Sequence, residues 1–136
     1  MYSEEEKIRM DKKVKYWIDT AEYDLDTSKA MLDTGRYLYV GFLCHQTIEK
    51  YLKAVIAKSG QFPPKIHNLI NLAEKASIIE RISDDQKDFL SELNPLNIEA
   101  RYPDYKNKIN EILTKSYCTE LLNKTKGMVE WIKEQL

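Results

Sequence analysis

Residues 40–56 read Val40-Gly41-Phe42-Leu43-Cys44-His45-Gln46-Thr47-Ile48-Glu49-Lys50-Tyr51-Leu52-Lys53-Ala54-Val55-Ile56. Val40, Leu43, Cys44, Ile48, Tyr51, Leu52, Val55 and Ile56 recur at three- and four-residue spacing, the period of a helix and not of a strand. The stretch opens at Tyr37, ends at Lys58-Ser59-Gly60, and has an apolar face wide enough to require burial by other helices. Gln46, Glu49, Lys50 and Lys53 share the opposite side. Two readings of that side stand: a solvated face with a Glu49 to Lys53 ion pair, or the polar rim of a groove shared with Arg101.

Working outward, Ser3 and Glu6 form a capping-box pattern ahead of Val14, Trp17, Ala21, Leu25, Ser28 and Leu32, which predict a long amphipathic first helix stopped at Gly35. Gln61-Phe62-Pro63-Pro64 cannot be helical throughout and reads as a connector with one exposed aromatic. His67, Leu69, Ile70, Leu72 and Ala73 predict a short helix ending near Ala76. A second capping box, Ser83-Asp84-Asp85-Gln86, opens a fourth helix through Phe89, Leu90 and Leu93, with Pro95 kinking it or ending it early. Ile98-Glu99-Ala100-Arg101-Tyr102-Pro103-Asp104-Tyr105 then breaks the helical pattern, and Pro103 displays Arg101 and Tyr102 at that break. A polar loop is expected next. Ile112, Leu113, Tyr117, Leu121, Met128 and Trp131 or Ile132 predict a last helix running almost to Leu136, in which Gly127 implies a packing reason. The fold class is therefore all-α: one domain over residues 1–136, an antiparallel bundle of four main helices plus one short helix.

Composition narrows the function. Lys and Arg number 21 against 22 Asp and Glu, so no overall charge favours duplex DNA. Cys44 and Cys118 are too far apart in sequence for a CxxC site and are expected to be packing residues in a reducing compartment. The acidic start, Met-Tyr-Ser-Glu-Glu-Glu-Lys, is unlike a signal peptide, and no apolar run is long enough to cross a bilayer. A cytoplasmic protein without membrane contact is expected. No glycine-rich phosphate loop and no metal-ligand spacing occur, so neither a metal nor a cofactor is expected. His45, for want of a partner at ligand spacing on its helix, reads as a structural or surface histidine. His67 reads as a cap or buttress of the third helix.

Trp17 with Ala21, Asp24 and Leu25, the run from Cys44 to Ala54, the Pro63-Pro64 to His67-Leu69 segment and Ala100-Arg101-Tyr102-Pro103 together resemble the HEPN domain over nearly the whole chain. The resemblance implies a bundle of four or five helices, commonly dimeric, and in many prokaryotic members a pairing with a minimal nucleotidyltransferase as a toxin-antitoxin system. It also implies metal-independent RNA cleavage, which in the family uses an Arg followed, after four to six residues, by a His. This chain has Arg101, but Lys106, Asn107 and Lys108 stand where that His would fall, and both of its histidines precede Arg101. Neither Tyr105 nor Lys106 has an unperturbed pKa suited to proton transfer near neutral pH. The chain resembles instead the branch with an Arg-Tyr-Pro turn.

The expected function is accordingly a nucleotide- or partner-binding regulatory module, homodimeric and paired with a nucleotidyltransferase. Arg101 is its central residue and the one candidate for catalysis. Tyr102, Asp104, Glu49, Lys50 and Lys53 complete the ligand-binding set. The alternatives are an RNase with a divergent site, in which Asp104 or His67 stands in for the missing histidine, and a purely structural interaction domain in which Arg101 pairs with Glu49.

Overall fold

The computed structural model describes residues 2–97 and 103–136, without the side chains of residues 103–106. Among the described residues the chain is helical and has no strand. Its elements are α1 (Glu4–Asp33), α2 (Tyr37–Lys58), α3 (Leu69–Lys75), α4 (Asp84–Leu93), a 3₁₀ turn (Asn94–Leu96), α5 (Pro103–Ile112) and α6 (Lys115–Lys133).

The boundaries follow local chemistry. Both capping boxes form: the Ser3 and Ser83 hydroxyls accept from the Glu6 and Gln86 backbone N–H groups, and the Glu6 and Gln86 side chains reach back to the capping residues. At the end of α1, Arg36 N–H bonds to Met31 O and Gly35 N–H to Leu32 O, a reversal that places Gly35 at φ +75°. Glycine meets that left-handed requirement without steric cost.

α2 is the axis of the bundle. It packs against α1 over the most extensive helix pairing, then against α6, and also touches α3, α4, α5 and the 3₁₀ turn. Every residue from Tyr51 to Ala57 is consequently buried. Tyr51, Ile48, Leu52 and Ile56 meet Leu69, Leu72, Leu90, Leu93, Leu121 and Ile132 in one continuous core. Gly41 lets the 3₁₀ turn come close, since a Cβ there would stand 3.3 Å from Leu96 Cδ1.

Several expectations need correction. The polar side of α2 is not a solvated face: Gln46 and Lys50 are half-buried, and Glu49 and Lys53 are buried beside His67 of the connector and Trp17 of α1. The expected polar loop after the Arg-Tyr-Pro turn is instead α5, opened by Pro103 in the first helical turn, where proline's missing N–H costs nothing. Ile112 and Leu113 match the period of the last helix, yet α6 begins anew after Thr114, whose hydroxyl accepts from Tyr117 N–H. The short helix starts at Leu69 and excludes His67, because Asn68 caps it through its side chain. Gly127 has no packing reason, since a Cβ there would meet nothing within 4 Å. Pro95 ends α4 early and leaves a single 3₁₀ turn with Leu96 buried; Ile98 lies outside the described residues.

Candidate functional site: a buried charged stripe on α2 that surfaces at His67

His45, Glu49 and Lys53 succeed one another at four-residue spacing, so they form a stripe along one side of α2. All three are buried, with 0%, 3% and 6% of their surfaces exposed. An ionised carboxylate so placed is costly unless both oxygens are engaged. Here they are: Lys53 Nζ donates to Oε2 at 3.2 Å, and His67 Nδ1 lies 2.8 Å from Oε1. Lys53 Nζ also stands 5.5 Å from the centre of the Trp17 ring, which supplies a further favourable contact for the buried ammonium.

His67 arrives from the connector between α2 and α3, and it is held twice. Its carbonyl accepts a hydrogen bond from His45 Nε2 at 2.9 Å, while its ring donates to Glu49. Even so, 63% of its side chain remains exposed. His67 is therefore not the expected cap or buttress of the third helix: Asn68 caps α3, and the His67 ring is tied to α2.

His45 is the unusual member. Burial pushes its pKa down to about 4 against the attraction of Glu49, so at neutral pH it is uncharged. With Nε2 donating to the His67 carbonyl, Nδ1 holds a lone pair, and that atom is buried without a hydrogen-bond partner among the described residues. It stands 3.9 Å from Glu49 Oε1. Glu49 is thus a carboxylate one turn along the same helix from His45, a spacing the sequence reading passes over.

The remaining polar positions of α2 tie down neighbouring elements. Lys50 Nζ bonds to Asp24 of α1 at 2.5 Å, and Gln46 donates to Asn97 Oδ1 at 2.8 Å. Asn94 in turn accepts from the Leu69 N–H at 2.9 Å, so the start of α3 and the end of the 3₁₀ turn are fastened together beside α2. Of the candidate residues, the structure brings Glu49, Lys53 and His67 into one cluster and directs Lys50 to α1. Arg101 and Tyr102 lie outside the described residues, as does any pairing of Arg101 with Glu49. Asp104 falls in the first turn of α5, with its side chain outside the described set.

Both cysteines are buried free thiols. Desolvation raises the Cys44 pKa and pushes Cys118 up to about 11, which removes thiolate chemistry at neutral pH. Among the described residues no three His, Cys, Asp or Glu side chains gather as a metal site would need, and no helix is long and apolar enough to cross a membrane.

An all-helical bundle with a central buried charged helix and two loops fastened beside it is the class that fold and site define. The model of the HEPN domain matches residues 14–135, and the chain belongs to that family. Among solved structures it is similar to TT1696 from Thermus thermophilus, with a TM-score of 0.78 over 90% of this chain and 98% of that one at 21% identity. That likeness shows the fold. No curated protein matches the chain in sequence.

Proposed function

We propose that this HEPN-family chain binds a phosphate-bearing ligand, a nucleotide or RNA, at the edge of α2 where the His67 loop and the Asn97 end of the 3₁₀ turn are fastened. The supporting observation is that pair of ties: Gln46 holds Asn97 and Glu49 holds His67, from positions three residues apart on one helix. Arg101 follows Asn97 by four positions and precedes α5 by two, and α5 packs on α2. Lys50 and Lys53 already face Asp24 and Glu49, so Arg101, whose planar fork suits a phosphate, is the residue assigned the anion. Tyr102 would stack on a base, and Asp104 would accept from a sugar or base donor.

As a regulatory module the chain would act with a minimal nucleotidyltransferase in a toxin-antitoxin-type pair and as a homodimer. Tyr16 and Tyr23, one heptad apart on α1 and 62% and 72% exposed, offer apolar surface for such partners. Fluorescence anisotropy with a labelled oligoribonucleotide and thermal melting with nucleotides test the reading: saturable binding lost in Arg101→Ala supports it. Equal binding by wild type and Arg101→Ala refutes the assignment of Arg101.

A second reading, a metal-independent RNase, is favoured by one specific observation, the exposed imidazole of His67 anchored to a buried carboxylate.

A further inference from the structure

We infer that the groove between α4 and α6 is a docking site for a helical segment of a partner protein, one that carries an apolar anchor side chain flanked by lysine or arginine.

The groove exists because its two walls are held elsewhere. α4 packs on α3, the 3₁₀ turn and α2, and α6 packs on α2 and α1, without the two helices closing on each other. Glu92 bridges them, taking a hydrogen bond from the Tyr117 hydroxyl and standing 3.8 Å from Lys124 Nζ. The space left between them is about 460 Å³ and opens to solvent. One face of each helix lines it. On α4 that face is Asp85, Asp88, Phe89 and Glu92, and on α6 it is Lys124, Gly127 and Met128, each set at helical spacing. Phe89 and Met128, 7% and 4% exposed, give the groove an apolar floor.

Gly127 shows that the space is kept clear. Glycine inside a helix is less stable than alanine, and here neither a left-handed φ nor a close approach within the chain calls for it: a Cβ would meet nothing within 4 Å among the described residues. A long side chain at this position, between Lys124 and Met128 on the lining face, would project into the groove. The glycine therefore serves an occupant and not the bundle.

Charge states what the occupant is. Lys124 is engaged by Glu92, whereas Asp85 and Asp88, one turn apart, meet no cation among the described residues. Asp85 lies in the first turn of α4 and complements the helix dipole there, but Asp88 lies beyond that turn. Two such carboxylates repel a phosphodiester, and among the described residues no three ligating side chains gather to hold a metal ion. A cationic amphipathic helix fits both the floor and the rim. Its apolar side chain enters over Phe89 and Met128 beside Gly127, and its lysines or arginines, one turn away, meet Asp85 and Asp88. This docking does not depend on the ligand assigned to Arg101.

The probe is a fluorescein-labelled amphipathic peptide of ~15 residues made of leucine, lysine and alanine, with leucines on one face and lysines flanking them. Wild-type protein should bind it saturably, and in NMR spectra recorded with the unlabelled peptide the Gly127 amide should be among the resonances that shift. Gly127→Leu places a better helix former in α6, so the variant should fold at least as stably as wild type, yet bind the peptide on the order of 10-fold more weakly. Asp85→Asn combined with Asp88→Asn should weaken binding by a similar factor, whereas Glu120→Gln, on α6 but outside the groove, should leave it unchanged. A peptide with serine in place of leucine should bind weakly. If it binds as tightly as the leucine peptide, the groove merely collects cations such as polyamines, and the inference falls. A change of oligomeric state in Gly127→Leu without peptide would make the occupant a second copy of this chain and overturn it as well. So would the absence of saturable binding by wild type, or equal binding by wild type and Gly127→Leu.

Discussion

Glu49 and Asp19 each stand four residues from a lysine, and in the sequence the two pairs look alike. Lys15 and Asp19 meet at 2.6 Å with side chains 75% and 60% exposed, whereas Lys53 and Glu49 meet at 3.2 Å with side chains 7% and 4% exposed. The shorter contact is the weaker one in free energy of folding, because water screens it and its loss strands nothing. Asp19→Ala should change stability by no more than about 0.5 kcal/mol. Glu49→Ala should cost about 3–5 kcal/mol, because it leaves the Lys53 ammonium buried without its carboxylate. Urea denaturation of both variants checks the contrast, and equal midpoints would show the stripe to be solvated after all. The i,i+4 spacing makes the Glu49–Lys53 pair legible, but not its burial, which depends on elements distant in sequence. The bond to His67 crosses 18 positions, and no local pattern announces it. Arg101 remains a candidate read from the sequence alone.

At the scale of elements, ends and starts are readable where a side chain or a glycine supplies the signal, as at Ser3, Gly35 and Ser83. They are hidden where proline begins a helix, at Pro103, and where two consecutive helices stay in phase, at Leu113 and Tyr117. One end uses the wrong residue for its geometry. After α3, Ile78 N–H bonds to Ala73 O and Ser77 N–H to Glu74 O, the same reversal that Gly35 makes after α1, but here an exposed serine sits at φ 59°. Ser77→Gly should stabilise the protein by about 0.5–1 kcal/mol, less than the full left-handed penalty because glycine also loosens the unfolded chain. Gly127 is the reverse case. It sits inside α6 beside an open groove lined by Phe89, Glu92 and Lys124, with room for a Cβ. Gly127→Ala should stabilise by about 1 kcal/mol. Chemical melts give both values, and destabilisation by either change would mean that the local geometry differs from the one described.

For the molecule as a whole, the buried stripe ties stability to pH through His45. Its pKa is near 6.5 in the unfolded chain and about 4 in the folded one, where burial outweighs the pull of Glu49 and the hydrogen bond to the His67 carbonyl, while the charges of His67 and Lys53 push in the same direction as burial. Above pH 6.5 the ring is neutral in both states and contributes no pH dependence. Between pH 6.5 and 4 the unfolded chain binds a proton that the folded chain refuses, so stability falls with acidification by up to about 1.4 kcal/mol per pH unit and by roughly 3 kcal/mol in total. Below pH 4 both states are protonated and this contribution levels off. The dependence belongs to the assembled bundle and not to α2 alone, because the desolvation comes from the connector and helices packed around the ring. His45→Gln keeps an amide donor for the His67 carbonyl and cannot titrate. Urea melts of the two proteins from about pH 7.5 to 4 should therefore diverge below pH 6.5, the wild type losing stability with the steeper slope by close to one proton. Parallel curves would place the acid sensitivity in the surface carboxylates and leave His45 no part in it.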